Sequence, residues 1–113
     1  MVKIQIVRDH AKNICSFEVS GHAGYNRSGA DIVCSAISAL TQTAVQGLKM
    51  VAGIDIQYKI VEKTGYLSCR LPEVLDEKQR HMSTAILESM YIGLRNIEDS
   101  YKKHIDISEN EEV

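Results

Sequence analysis

Apolar and polar residues alternate in two segments near the start of the chain. Apolar side chains occupy every second position over residues 2–6 and again over residues 15–19, and the polar stretch RDHAKN lies between them. A period of two places every second side chain on one face of a β-strand. The pattern therefore predicts two strands that are joined as a hairpin.

From about residue 30 to residue 51 the period changes. Apolar residues recur at spacings of three and four, which places them along one stripe of an amphipathic helix. The members of this stripe are Val33, Ile37, Leu40, Ala44, Leu48 and Val51. Gly53 follows the stripe directly, and a glycine at this place predicts the end of the helix.

Alternation returns over residues 54–60 and 67–71, on either side of the turn EKTG, which predicts a second hairpin. A second helical stripe then extends from Leu75 to Tyr101, and the short segment HIDIS predicts a fifth strand. The ββαββα order joins its strands as hairpins and not as βαβ units. It predicts an α+β fold, a two-layer sandwich in which two helices cover a mainly antiparallel or mixed sheet.

We expect one domain over residues 1–108 and an acidic tail over residues 109–113 that frays. With 44% hydrophobic and 25% charged residues, the composition is that of an ordinary globular protein. No apolar run approaches the roughly 18 residues of a membrane span, and the first ten residues do not resemble a signal peptide. These features predict a cytoplasmic protein.

The net charge and the cysteine count exclude two classes of function. A net charge of −2 argues against a general nucleic-acid-binding protein, whose affinity comes mainly from clustered basic residues. Three cysteines without a CxxC spacing indicate neither a disulfide framework nor a zinc site. We therefore expect three free thiols and no bound metal.

The stretch SGHAGYNRSGADIVCSAIS, residues 20–38, places a histidine and a cysteine on either side of a glycine-containing loop. If the helix begins near Asp31, whose carboxylate can cap it, Cys34 falls in the first turn, where the dipole and the backbone N–H groups favour a thiolate. Those N–H groups can also form an oxyanion hole. His22 is the candidate partner of the thiol, and Ser38, one turn beyond Cys34, can hydrogen-bond the thiol or orient the imidazole.

Each of these residues also has a purely structural interpretation. A free cysteine most often packs in a core. His22 is then an ordinary loop histidine, Asp31 only a helix cap, and Ser38 a small residue that allows close helix packing. Cys15 and Cys69 fall on strand faces that alternate as apolar, which favours a core position for both.

The motifs GHAGY and GADIVCSAISAL, which span Gly21 to Leu40, resemble the signature of the bacterial ribosomal-processing cysteine protease family. The chain length and the order of elements are also similar to those of the family. The resemblance implies an endopeptidase that removes the N-terminal extension of a large-subunit ribosomal protein. It implies Cys34 as the nucleophile and His22 as the general base and acid, whereas Ser35 departs from the alanine that the family commonly has there.

The resemblance further implies that Asp31 and Ser38 support the site, and that the protein is a homodimer without a metal or a cofactor. The loop glycines, Gly21 among them, suggest that the loop carrying His22 moves and that a substrate peptide orders it. Polar character and a place in this loop make three more residues candidate substrate contacts: Tyr25, Asn26 and Arg27.

Two other functions remain compatible with the sequence. One is a non-catalytic module that binds a nascent ribosomal protein or ribosomal RNA, with the glycine-containing loop as its recognition element. The other is a thiol redox or acyl-transfer protein that uses Cys34 in a different reaction. Loss of peptide hydrolysis with retention of peptide binding in a Cys34→Ala variant separates the protease from both.

Overall fold

A computed structural model describes the backbone of residues 1–21 and 28–113 and the side chains of residues 1–21 and 32–113. Within this part of the chain, five strands and two long helices follow one another. They are β1 (Val2–Arg8), β2 (Ile14–Ser20), α1 (Ser28–Gln46), β3 (Gln57–Val61), β4 (Tyr66–Arg70), α2 (Glu77–Ser100) and β5 (Ile105–Glu111).

The strands form one mixed sheet in the order β3-β4-β2-β1-β5. β1 pairs with β5 in parallel, and the other neighbouring strands are antiparallel. Along β1, Ile4 and Ile6 are buried whereas Lys3 and Gln5 are exposed, so one face of the sheet carries the core. The apolar stripes of α1 and α2 pack on that face. The predicted α+β fold with two helices is confirmed.

A π-helical turn, Gly47–Val51, continues α1. The backbone N–H of Ala52, the residue that follows the turn, donates to the carbonyl of Gly47 at 3.0 Å. A hydrogen bond between residues five apart is typical of a π-helix. The wider turn rotates the apolar stripe, so Leu48 stays buried but Val51 is 67% exposed, although the sequence pattern places Val51 in the core. Gly53, at φ 63°, follows the turn.

The core position predicted for Cys15 is wrong because a β-bulge interrupts the alternation. Val7 pairs with Ser16 and Arg8 pairs with Ile14, so Cys15 is the extra residue of the bulge. Ile14 takes the buried position, and Cys15 is half-buried with its Sγ 3.5 Å from the carbonyl oxygen of Val7. Cys69, on an uninterrupted strand, is buried as predicted.

The fraying predicted for residues 109–113 is corrected by the structure. β5 stays paired with β1 as far as Glu111, opposite Arg8, and the backbone N–H of Glu112 donates to the carbonyl of Arg8 at 2.8 Å. The acidic side chains do not repel the segment from the sheet, because basic partners face them: Glu109 forms ion pairs with Arg8 at 3.0 Å and with Arg95 at 2.8 Å.

Candidate active site

The cleft beside Cys34 lies at the end of the sheet where β1 begins and β2 ends. Because β2 is antiparallel to both of its neighbours, its last residues lie beside the start of β1 and the start of β4: Val19 pairs with Ile4 and with Leu67. The cleft has a volume of about 260 Å³. Its floor is apolar, formed by Val2 and Val19 of the sheet and Ile37 of α1.

Two candidate residues lie together on the wall that α1 contributes. Cys34 is half-buried, and Ser38, one helical turn later, is exposed; both line the cleft. Ile37 lies between them in sequence but is 2% exposed, because its position faces the core. Ser35 lines the cleft as well and is exposed. This wall therefore presents one thiol and two hydroxyl groups to a bound molecule.

Gly21 forms the edge of the cleft where β2 ends. Its φ is +82°, and a Cβ atom at this position would lie 2.8 Å from the carbonyl oxygen of Met1. Both features require glycine here. The chain continues from Gly21 to His22, and four predicted site residues lie outside the described residues: His22, Tyr25, Asn26 and Arg27.

The predicted role of Asp31 as helix cap is corrected by the start of α1. The helix begins at Ser28, so Asp31 lies within the first turn and Cys34 lies in the second. Only the first four N–H groups of a helix lack an intrahelical partner, and the dipole effect is confined to the first turn. The oxyanion hole expected from the N–H of Cys34 and the dipole effect expected there do not fit this start. Ser28 and Asp31 form an S-x-x-D pattern, which is a sequence signal for the earlier start.

The other two cysteines lie in surroundings that oppose a thiolate. Burial raises the pKa of the Cys69 thiol to about 12. Burial also raises the pKa of Cys15, and the nearby carboxylates of Glu112 and Asp9 raise it further. The three cysteines form no disulfide. Of the three cysteines, Cys34 is the one that lines the cleft at the end of β2.

The turn between β3 and β4 forms the third wall, which the sequence pattern did not identify. Glu62 and Gly65 of this turn line the cleft beside Cys34 and also a second cleft of about 300 Å³. The two clefts share Val19, Ile37 and Ser38 in addition, so we describe them as one channel that extends along α1 from Cys34 to Gln42. The sequence EKTG predicts a hairpin turn. It does not predict that the turn lies beside Cys34, because that position depends on the pairing of β4 with β2.

Among the side chains of residues 1–21 and 32–113, no group of three His, Cys, Asp or Glu residues is placed to hold a metal ion. Neither of the long helices in the described backbone has the length and apolar character needed to cross a membrane.

Comparison with known proteins decides the family. The model of the family described as cysteine protease Prp matches residues 1–106 of this chain. The chain belongs to the Prp family of cysteine proteases. The ribosomal processing cysteine protease Prp of Bacillus subtilis (strain 168) is 34% identical over 110 residues, which cover 97% of this chain and 98% of that protein. The family resemblance inferred from GHAGY and GADIVCSAISAL is confirmed.

Solved structures share the Prp fold. SMU.848 from Streptococcus mutans superposes with a TM-score of 0.87 at 24% identity, over 99% of this chain and 96% of that chain. The ribosomal processing protease Prp from S. aureus, crystallised with a substrate peptide, superposes with a TM-score of 0.84 at 20% identity, over 96% of this chain and 99% of that chain. At these identities the likeness shows the fold.

Proposed function

We propose that this protein is a cysteine endopeptidase that removes the N-terminal extension of a large-subunit ribosomal protein. The observation that carries the proposal is the place of Cys34: in a member of the Prp family, this half-buried thiol lies on the wall of an open channel with an apolar floor. The B. subtilis relative is named for ribosomal processing, and the S. aureus relative binds a substrate peptide, which support the ribosomal substrate.

The proposed reaction has two steps: formation of an acyl-enzyme and its hydrolysis. The Sγ of Cys34, as thiolate, attacks the carbonyl carbon of the scissile peptide, and a thioester forms as the C–N bond breaks. Protonated His22 gives its proton to the leaving amine, then takes a proton from water, which attacks the thioester and releases the new carboxylate. Gly21, the residue that precedes His22 in the chain, lines the channel, which supports His22 as the base.

The other predicted residues are proposed to support this chemistry. The hydroxyl of Ser38, one turn from Cys34, donates to the thiolate or orients the imidazole of His22. Asp31 supports the site from the first turn of α1, and Gly21 allows the close approach to Met1 that shapes the edge of the channel. The direct substrate contacts proposed in the loop are Tyr25, Asn26 and Arg27.

We propose further that the enzyme is a cytoplasmic homodimer with a single catalytic domain. The resemblance to the family supports the dimer, and the composition supports the compartment. The pairing of β5 with β1 supports a domain that includes residues 109–111.

Peptide cleavage tests the proposal. A synthetic peptide that spans the extension and the first residues of the ribosomal protein is incubated with the wild type, with Cys34→Ala and with Cys15→Ala, and the products are identified by mass spectrometry. We expect Cys34→Ala to lose at least about a thousandfold in rate, since the nucleophile is absent. Cys15→Ala is the matched control, because it removes the other half-buried thiol, and it retains the wild-type rate.

Two outcomes contradict the proposal. Cleavage by Cys34→Ala at the wild-type rate excludes Cys34 as the nucleophile. Binding of the peptide by the wild type, without any cleavage, instead favours the non-catalytic module that recognises a nascent ribosomal protein.

A further inference from the structure

Glu62 is the only Asp, Glu, Lys or Arg among the described residues that line the channel. Its neighbours on the walls are apolar, hydroxyl-bearing or amide side chains, such as Ile60, Ser38 and Gln42. Glu62 lines both clefts and therefore lies at their junction, where one continues into the other. The carboxylate of Glu62 therefore places a negative charge at this junction.

The carboxylate of Glu62 has no partner within the part of the chain that the structure describes. Glu62 is exposed and is the first residue of the turn Glu62–Thr64; its backbone carbonyl accepts the N–H of Gly65 at 3.2 Å, but its side chain makes no hydrogen bond or ion pair there. The hydroxyl of Tyr66, which also lines the channel, donates to the carboxylate of Glu18 at 2.9 Å.

Three other glutamates of this protein, unlike Glu62, have an arginine partner. Glu88, Glu109 and Glu112 each form an ion pair with an arginine at 3.0 Å or less. Glu62, in contrast, has no such partner among the described residues, so its carboxylate is available to a ligand in the channel. An arginine of the occupant can bind such a carboxylate through two parallel hydrogen bonds, and a lysine can bind it as a point charge.

We propose that Glu62 determines specificity by binding a lysine or arginine side chain of the substrate peptide close to the scissile bond. This inference rests on the proposed function, because it takes the channel to be the place where the peptide lies. The carboxylate acts on binding and not on the reacting atoms. Its removal is expected to weaken substrate binding and to leave the chemical step nearly unchanged.

Peptide binding in an inactive background tests this inference without turnover. The probe is the extension-spanning peptide, and its Kd is measured by calorimetry for Cys34→Ala and for Cys34→Ala with Glu62→Gln. We expect Glu62→Gln to raise Kd about three- to tenfold at low ionic strength, and less at 0.5 M salt because salt screens the ion pair. Replacement of one particular lysine or arginine of the peptide by norleucine abolishes the difference between the two proteins.

The matched control is Glu73→Gln, which removes an exposed carboxylate that lines the cleft at the opposite end of the sheet. It leaves Kd unchanged. In the active enzyme, Glu62→Gln raises KM by the same factor and changes kcat less than twofold. An unchanged Kd overturns the inference, and so does a fall in kcat with a shifted pH profile at constant Kd, since Glu62 then acts on the catalytic groups.

The experiment also separates this inference from the proposed function. If the wild type cleaves the peptide and Glu62→Gln binds it equally well, only the role of Glu62 is lost. If Glu62→Gln weakens binding but the wild type cleaves nothing, recognition of the basic residue stands and the protease function is lost. Failure of Cys34→Ala to bind the peptide overturns the inference.

Discussion

At one end of the sheet Cys34 faces a channel with an apolar floor, and at the other end Cys15 lies among charged groups. The cleft beside Cys15, about 320 Å³ in volume, includes Arg70 and Glu112, which form an ion pair at 3.0 Å, and the carboxylate of Asp9. Glu62, the acidic residue that lines the channel beside Cys34, forms no ion pair with another residue of the described part of the chain. Both thiols are half-buried and both line a cleft, so exposure alone does not distinguish them.

The difference indicates how the molecule separates stability from function. The Cys15 end is held by interactions between charges distant in sequence, such as Arg8 with Glu88 at 2.7 Å and Lys12 with Glu111 at 3.1 Å. The channel end leaves polar groups, Glu62 above all, available to a ligand. Burial, and then the carboxylates of Glu112 and Asp9, raise the pKa of the Cys15 thiol, and a nucleophile requires the thiolate.

Alkylation of the three cysteines tests this contrast directly and has the largest expected effect. The pKa of Cys69 is raised from 9.0 to about 12, which reduces its thiolate fraction about a thousandfold at neutral pH. The pKa of Cys15 is raised as well. We therefore expect iodoacetamide to label Cys34 first, Cys15 later and Cys69 last, as measured by peptide mass spectrometry over time at pH 7.5.

Labelling in denaturant is the control, because all three cysteines should then react at similar rates. Labelling of Cys15 in the folded protein as fast as that of Cys34 would show that the two ends do not differ in thiol reactivity.

The spacing of apolar residues predicts most of the strands and helices, since the period of either element is visible within a few residues. A cap at Asp31 predicts a start of α1 three residues later than the observed start at Ser28, whereas Ser28 and Asp31 together indicate the earlier start. The exposure of Val51 was not predictable from the stripe, because a π-helical turn changes the period without a distinct sequence signal.

Interactions distant in sequence account for the rest. The acidic end of β5 resembles a solvated tail until its partner Arg8, about 100 residues earlier in the chain, is brought beside it. In the same way, Glu62 reaches the channel only because β4 pairs with β2, which brings the turn between β3 and β4 beside Cys34. Cys34 and Ser38, in contrast, lie close together because four residues on a helix make one turn, which the sequence states directly.

Substitution of Gly21 tests whether the channel end depends on its backbone. Gly21→Ala places a methyl group 2.8 Å from the carbonyl oxygen of Met1 in addition to imposing a positive φ on alanine. We expect a loss of about 2–4 kcal/mol in the free energy of unfolding together with slower peptide cleavage, because Met1 or Gly21 must move. Urea unfolding and the cleavage assay measure the two effects.

Gly53→Ala is the matched control for the backbone strain alone. Gly53 has a φ of +63°, but no atom lies within 4 Å of the position of its Cβ. The Gly53→Ala variant should therefore lose only about 1–2 kcal/mol in the free energy of unfolding, and it should cleave the peptide at the wild-type rate. Equal losses in the two variants would mean that the contact with Met1 does not shape the channel.

Glu109→Gln tests the opposite end, with a smaller expected effect on stability and none on cleavage. The hydrogen bond from Tyr91, and then that from Arg8, lowers the pKa of Glu109 from 4.5 to about 2. At about 1.36 kcal/mol per pKa unit, this shift corresponds to a contribution of roughly 3 kcal/mol to the free energy of unfolding. Because the Glu109 side chain is 33% exposed, solvent screening reduces the contribution to about 1–2 kcal/mol. A lowered pKa means that this contribution is complete above about pH 4.5 and is lost as the pH falls towards 2.

The free energies of unfolding of wild type and Glu109→Gln, measured with urea between pH 7 and pH 2.5, should therefore converge at the acidic end. Glu62→Gln is the matched comparison, since its carboxylate has no ion pair in the described part of the chain, and it should unfold as the wild type does throughout this range. A Glu109→Gln variant that loses as much stability at pH 2.5 as at pH 7 would contradict the ionic contribution. A variant with impaired cleavage at neutral pH would show that the two ends are coupled, because Glu109 lines neither part of the channel.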